Sequence, residues 1–214
     1  MPLIHLDALR EAPLTRDPFL FAVVPGFIPA DRTRAITEDF PAIAHAGLLP
    51  LEATSFGPRF REVIEELRSA SVARAFSEKF DIDLEGRPLM ITVRGRCQEK
   101  DGRIHTDSAA KLVTALLYFN ETWEAEGGRL RLLRGPDDLE DTIAEVPPFA
   151  GTLVAFRRSK NSYHGHKPFN GVRRYVMLNW MASTLAARRE LARHAISAHW
   201  KRWTHPAAGA ALPQ

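Results

Sequence analysis

Lys111-Leu112-Val113-Thr114-Ala115-Leu116-Leu117-Tyr118-Phe119 is the stretch on which the reading of this chain turns. Successive side chains of a strand point to opposite faces. Leu112, Thr114, Leu116 and Tyr118 therefore share one face, and Val113, Ala115, Leu117 and Phe119 the other. Neither face is polar, so the strand is covered on both sides. The arrangement expected is a barrel interior on one side and helices on the other.

Working outward, residues 88–180 break into short strand-like runs at 89–97, 103–107, 111–119, 129–134, 141–146, 152–157, 161–167 and 173–181. Asp101-Gly102, Gly127-Gly128, Gly135-Pro136 and Asn170-Gly171 lie between them as turn signals. Eight short strands at this spacing predict a jelly roll, two antiparallel sheets closing over a cavity. The fold class expected is mainly β with flanking helices.

Before this core, residues 18–28 read as a strand and turn. Asp31 is placed to cap a helix that ends before Pro41. Pro58 suits the first position of a second helix, in which Phe60, Val63, Ile64 and Leu67 form one apolar face. A third helix is expected around 72–80 and a C-terminal one over 184–203. No linker or repeat divides the chain. A single domain is expected, with N-terminal strand and helices over 1–87, a catalytic core over 88–181, and a C-terminal helix and tail over 182–214.

The chain has 214 residues, 45% of them hydrophobic and 26% charged, enough to bury a sizeable core. The one cysteine, Cys97, excludes an internal disulfide framework. The N-terminus lacks a basic, apolar leader, and the apolar run 19–28 is too short to span a bilayer. A cytoplasmic protein without membrane attachment is expected. Five of the 29 Lys/Arg lie from Thr184 onward, against one of the 26 acids, leaving 24 basic and 25 acidic residues before it. The body is near neutral, so nucleic acid is not indicated as a partner.

The chemistry begins at His105-Thr106-Asp107, eleven residues before Leu116 counting from His105. Residues i and i+2 of a strand face the same way, so both side chains can grip one metal ion. A third ligand from a distant strand, His164, completes two imidazoles and one carboxylate. Such a set leaves the opposite coordination positions open, as in non-heme Fe(II) oxygenases.

Five landmarks then occur in order: His105-Thr106-Asp107; Leu116-Leu117-Tyr118-Phe119-Asn120; Gly127-Gly128-Arg129-Leu130; His164 with Pro168; and Arg174-Tyr175 before Trp180. Over 88–181 the chain resembles the Fe(II)/2-oxoglutarate-dependent dioxygenase superfamily, in its prolyl-hydroxylase-like branch. The resemblance implies a double-stranded β-helix with iron at its open end, bound by His105, Asp107 and His164. It implies that Arg174 holds the distal carboxylate of 2-oxoglutarate, a task suited to the two-pronged guanidinium, that Tyr118 assists, and that Trp180 walls the site. Arg173 competes with Arg174, and His166, on the face of His164, competes with it as ligand. His166, Gln98, Arg103 and Arg96 are further candidates for lining the pocket or touching substrate.

A carboxylate at position 107 excludes the halogenases of the superfamily, which carry a small residue there. The activity implied is hydroxylation of a C–H bond, consuming O2 and 2-oxoglutarate and releasing succinate and CO2, with ascorbate as an accessory reductant. Two alternatives share the fold: a non-oxidative cupin-like metal-binding protein, and an iron/2-oxoglutarate sensor without turnover. The substrate, a small molecule or a peptide, has no readable motif. Its contacts are expected from the loops 46–58, 97–102, 134–141 and 157–162.

Overall fold

The two-faced strand at 111–118 is the centre of a three-layer structure. The computed structural model describes residues 2–192. In order along the chain come α1 (Leu6–Glu11), β1 (Phe21–Val24), α2 (Ala30–Glu38), β2 (Leu49–Pro50), a 3-10 turn (Leu51–Ala53), α3 (Pro58–Leu67) and α4 (Ala70–Phe80). The strands β3 (Leu89–Cys97), β4 (Lys111–Tyr118), β5 (Leu130–Leu133), β6 (Thr142–Val146), β7 (Leu153–Arg157), β8 (His164–Gly165) and β9 (Gly171–Met181) follow. A helix over 184–192, α5, ends the described residues.

Six strands form one sheet in the order β1-β7-β4-β9-β3-β2, and three form a second, β6-β5-β8. All the pairings within them are antiparallel. One face of β4, with Val113, Ala115, Leu117 and Phe119, packs in the cluster that holds Phe60, Val63 and Ile64 of α3 and Phe76 and Phe80 of α4. The other face, with Leu116 and Tyr118, packs against Leu130, Leu132, Val154 and Phe156 between the two sheets. Fully burying a Phe or Leu contributes about 1.5–3 kcal/mol, so both faces of β4 are strongly held. The expected jelly-roll arrangement with flanking helices is the observed one.

α3 opens at Pro58, and α4 is capped by Ser69, whose hydroxyl accepts the Val72 N–H. The helix near Asp31 starts at Ala30 with Pro29 as its cap, and Asp31 sits in its first turn without capping it. α1 carries no side-chain cap, which is why sequence signals missed it.

Two expected strands shrink. In place of a strand over 103–107 there is an isolated bridge between His105 and His164. The preceding segment is held as a turn, because the Asp101 carboxylate takes both the Gln98 N–H and the Arg94 guanidinium. The run 161–167 contracts to His164–Gly165, since Ser162 and Ser159 close a turn before it. Gly165 is required there: a Cβ would lie 2.7 Å from the Gly102 carbonyl oxygen. Beyond 192, the remainder of the expected C-terminal helix lies outside the described residues.

Candidate metal centre

His105 and His164 stand directly opposite each other, exchanging both backbone bonds: His105 N–H to the His164 carbonyl at 3.1 Å, and the reverse at 3.0 Å. Side chains at such a pair leave the same face, and the two imidazole centroids are 4.4 Å apart. Asp107, two residues after His105, brings its carboxylate to the same place. One ligand atom from each of the three lies within 4.8 Å of the others.

The donor chemistry fits a divalent transition metal. His105 Nδ1 is 2.8 Å from the Arg103 carbonyl oxygen and His164 Nδ1 is 3.0 Å from that of Ser162. Each ring thus spends Nδ1 on a backbone carbonyl two residues upstream, which leaves Nε2 as the metal donor. Burial favours a neutral His164, lowering its pKa to about 4. Burial alone would raise Asp107, but Lys111 and His164 beside it, with hydrogen bonds from Lys111 and Thr114, bring it down to about 2. Two imidazoles and one carboxylate on one side of an ion suit Fe(II).

The Asp107 carboxylate is held at both oxygens. Lys111 Nζ donates to Oδ1 at 2.8 Å and Thr114 Oγ1 to Oδ2 at 2.5 Å. Asn179 Nδ2 in turn donates to Thr114 Oγ1 at 3.1 Å. These three residues were not legible as site residues in the sequence. Thr114 shares its strand face with Leu116 and Tyr118, and Lys111 follows Asp107 by four positions, the signals that could have found them.

The centre opens into a cavity of about 520 Å3, which Leu48, Arg94, His166, Arg173 and Met177 also line. Arg173 is 2% exposed. Its Nε donates to the Gly128 carbonyl at 2.6 Å, and Nη2 lies 3.4 Å from the Tyr118 hydroxyl. Its guanidinium sits over the rings of Tyr175 and Tyr118 at 4.9 and 5.5 Å. Among the described residues no carboxylate pairs with it. Tyr118 is fully buried, and burial raises its phenol to about 12 despite the nearby Arg173 cation, so it stays protonated.

Two sequence expectations are corrected here. Arg174 lines a different cavity, together with Arg96 and Val172. Trp180 packs among the helices, its ring 4.6 Å from that of Phe76. Both follow from the parity of β9: Arg174, Val176, Leu178 and Trp180 alternate toward the helices, while Arg173, Tyr175 and Met177 face the cavity. His166 lines the cavity but is not among the clustered ligand atoms; its Nδ1 lies against the Lys167 carbonyl. Arg103 is exposed and, like Gln98, is not part of the cavity wall.

Residues 95–182 match the 2OG-Fe(II) oxygenase superfamily. No curated protein matches the chain. Among solved structures, a prolyl-4-hydroxylase from Pseudomonas putida superposes with a TM-score of 0.54 at 20% identity, covering 82% of this chain and 96% of its own. A viral collagen prolyl hydroxylase from Paramecium Bursaria Chlorella virus-1 gives 0.53 at 16% identity, over 77% and 96%. An oxidoreductase of the 2OG-Fe(II) oxygenase family from Burkholderia pseudomallei gives 0.52 at 12%, over 75% and 84%. The matched segment contains His105, Asp107, His164 and Arg173, the residues whose donors and charge suit a divalent iron and a dicarboxylate. Residues 95–182 are thus similar to the 2OG-Fe(II) oxygenase superfamily, the chain shares the fold of these prolyl hydroxylases, and His105, Asp107 and His164 form a possible metal site.

Proposed function

We propose that this protein hydroxylates a C–H bond of a substrate seated in the 520 Å3 cavity, with release of succinate and CO2. Arg173 is the observation that carries the reading. A guanidinium buried beside a metal-ligand cluster without a carboxylate partner is costly unless a ligand brings the anion. The distal carboxylate of 2-oxoglutarate is that anion. Arg173, not Arg174, is its anchor, and Tyr118 donates its phenolic proton to the same group. A cupin-like protein without a diacid cosubstrate has no use for such a cation.

His105, Asp107 and His164 hold the iron. With 2-oxoglutarate and O2, that iron supplies the oxidising power that replaces a C–H hydrogen by hydroxyl. The protein's own part is positional. Thr114 and Lys111 restrain the Asp107 carboxylate, the two backbone carbonyls fix the imidazoles, and Leu116 and Leu130 form an apolar wall of the cavity. Two of the structural relatives are named as prolyl hydroxylases, one of collagen. A peptide prolyl residue is accordingly the first substrate to test.

The test is titration of the Fe(II) protein with 2-oxoglutarate in the absence of O2, following the metal-to-ligand charge-transfer absorption. Saturable growth of the band is expected. Absence of 2-oxoglutarate binding would overturn the reading. Succinate release on admitting O2 with candidate substrates then identifies the molecule oxidised.

A further inference from the structure

We infer that Asn179 is a positioning residue of the metal centre, whose side-chain amide aims the Thr114 hydroxyl at Asp107. This rests on the functional reading above, which puts Fe(II) on His105, Asp107 and His164. Asn179 and Thr114 stand opposite each other across β9 and β4. They are 0% and 1% exposed. Asn179 Nδ2 donates to Thr114 Oγ1 at 3.1 Å, and Thr114 Oγ1 donates to Asp107 Oδ2 at 2.5 Å. Thr114 lines the cavity and Asn179 does not, so Asn179 acts on the centre only through its neighbour.

This chain of bonds can run in one direction only. The same Asn179 nitrogen lies 3.0 Å from the Leu178 carbonyl oxygen, which can only accept. The amide is therefore held with its NH2, not its oxygen, toward Thr114. A hydroxyl has a single proton on a rotor that is otherwise free to turn. With Nδ2 donating to it, the Thr114 oxygen keeps that proton for Asp107. Carboxylate torsions are soft. The bond from Thr114 to Oδ2, with that from Lys111 to Oδ1, fixes the plane in which Asp107 presents its oxygens to a metal.

Packing gives no reason for an amide at this place. On β3 the residue opposite Asn179 is Met90. Asn179 Oδ1 is buried without a hydrogen-bond partner among the described residues. An unmade bond of that kind disfavours burial, and an apolar side chain would avoid it. What the amide supplies is the donor to Thr114. Hydrogen-bond partners of metal ligands typically govern metal affinity by about 10–100-fold.

The experiment titrates the protein with Co(II), reading affinity by calorimetry and ligand geometry by the visible d–d absorption. Thr114→Val should weaken Co(II) binding by about 10–100-fold and alter the band. Asn179→Leu should weaken it by roughly threefold to tenfold, with a band change in the same sense. Adding Asn179→Leu to Thr114→Val should change neither affinity nor band further, because the amide then has no hydroxyl to aim. Thr114→Ser, which keeps the hydroxyl, should hold near-wild-type affinity and its sensitivity to Asn179→Leu. Asn179→Ala, which leaves room where Asn179→Leu fills it, carries the same predictions. Wild-type affinity and band in both Asn179 variants, or effects that add in the double variant, would overturn the inference, since a merely structural asparagine has no coupling to Thr114 in metal binding. His164→Ala separates the two levels. Wild-type protein that binds no Co(II), or binds it equally after His164→Ala, sinks the metal centre, while binding that depends on His164 and ignores Asn179 sinks only the role of Asn179.

Discussion

Arg173 and Arg174 are chemically identical neighbours, and only one faces the metal-ligand cluster. Removing one partner of a buried charged pair typically costs about 2–5 kcal/mol, which at about 1.4 kcal/mol per tenfold is on the order of 30-fold to several-thousand-fold. Arg173→Ala should weaken 2-oxoglutarate binding by that factor, and Arg174→Ala should leave it nearly unchanged. Tyr118→Phe removes one hydrogen bond worth about 0.5–1.5 kcal/mol, a loss of roughly threefold to tenfold. Oxygen-free titration of the Fe(II) protein measures all three, and a larger loss in Arg174→Ala would reverse the assignment. The histidines divide in the same manner. His164→Ala should abolish tight Fe(II) binding, and His166→Ala should retain it, as calorimetry with Fe(II) will report. His105-Thr106-Asp107 was readable because its chemistry is local, whereas Lys111 and Thr114 join the site by contact with Asp107 and belong to no ligand pattern of their own.

At the scale of the element, β9 carries two functions on its two faces. Its inward face holds Arg173 and Tyr175. Its outward face sends Val176, Leu178 and Trp180 into the helices, where Trp180 packs on Phe76 of α4. Trp180→Ala should therefore cost about 3–5 kcal/mol of stability, the usual cost of emptying a large aromatic site. The folded fraction should keep its affinity for 2-oxoglutarate, because Trp180 does not reach the cavity. Denaturant melts combined with ligand titration check both halves. A variant that kept its stability but lost 2-oxoglutarate would return Trp180 to the cavity wall. The strand itself was legible from its apolar content. The short pairings at 105 and 164–165 were not, since they depend on what the turns before them allow.

For the whole molecule, acid sensitivity follows from the groups buried around the centre. His164 and His166 are both lowered from 6.5 to about 4 by burial. The unfolded chain binds protons at these positions below its ordinary pKa while the folded one does not, so stability falls as the pH drops from about 6.5 to about 4. At about 1.4 kcal/mol per unit, each histidine contributes on the order of 3 kcal/mol to this loss. Asp107, lowered from 3.8 to about 2, stabilises the fold above its unfolded pKa, and that contribution disappears as the pH falls from about 4 through 2. Melting of the metal-free protein across pH 7 to 4 should show a steep decline, made shallower by His166→Ala. A flat profile in the wild type would contradict the burial of these rings. The described residues include no helix long and apolar enough to cross a membrane.

Alternation along 111–119, the turn residues between the strands, and His105-Thr106-Asp107 determined the fold class and two of the three proposed metal ligands. These depend on the period of the chain and on neighbours in sequence, which a strand expresses wherever it is placed. The inward face of β9 was decided only by tertiary structure. Both of its faces are covered, so periodicity leaves two equivalent parities, and the helices on one side and the small sheet on the other select between them. The same holds for Lys111: its ammonium meets Asp107 because the chain turns between 107 and 111 and β4 is bulged at its start, a geometry that no local preference encodes.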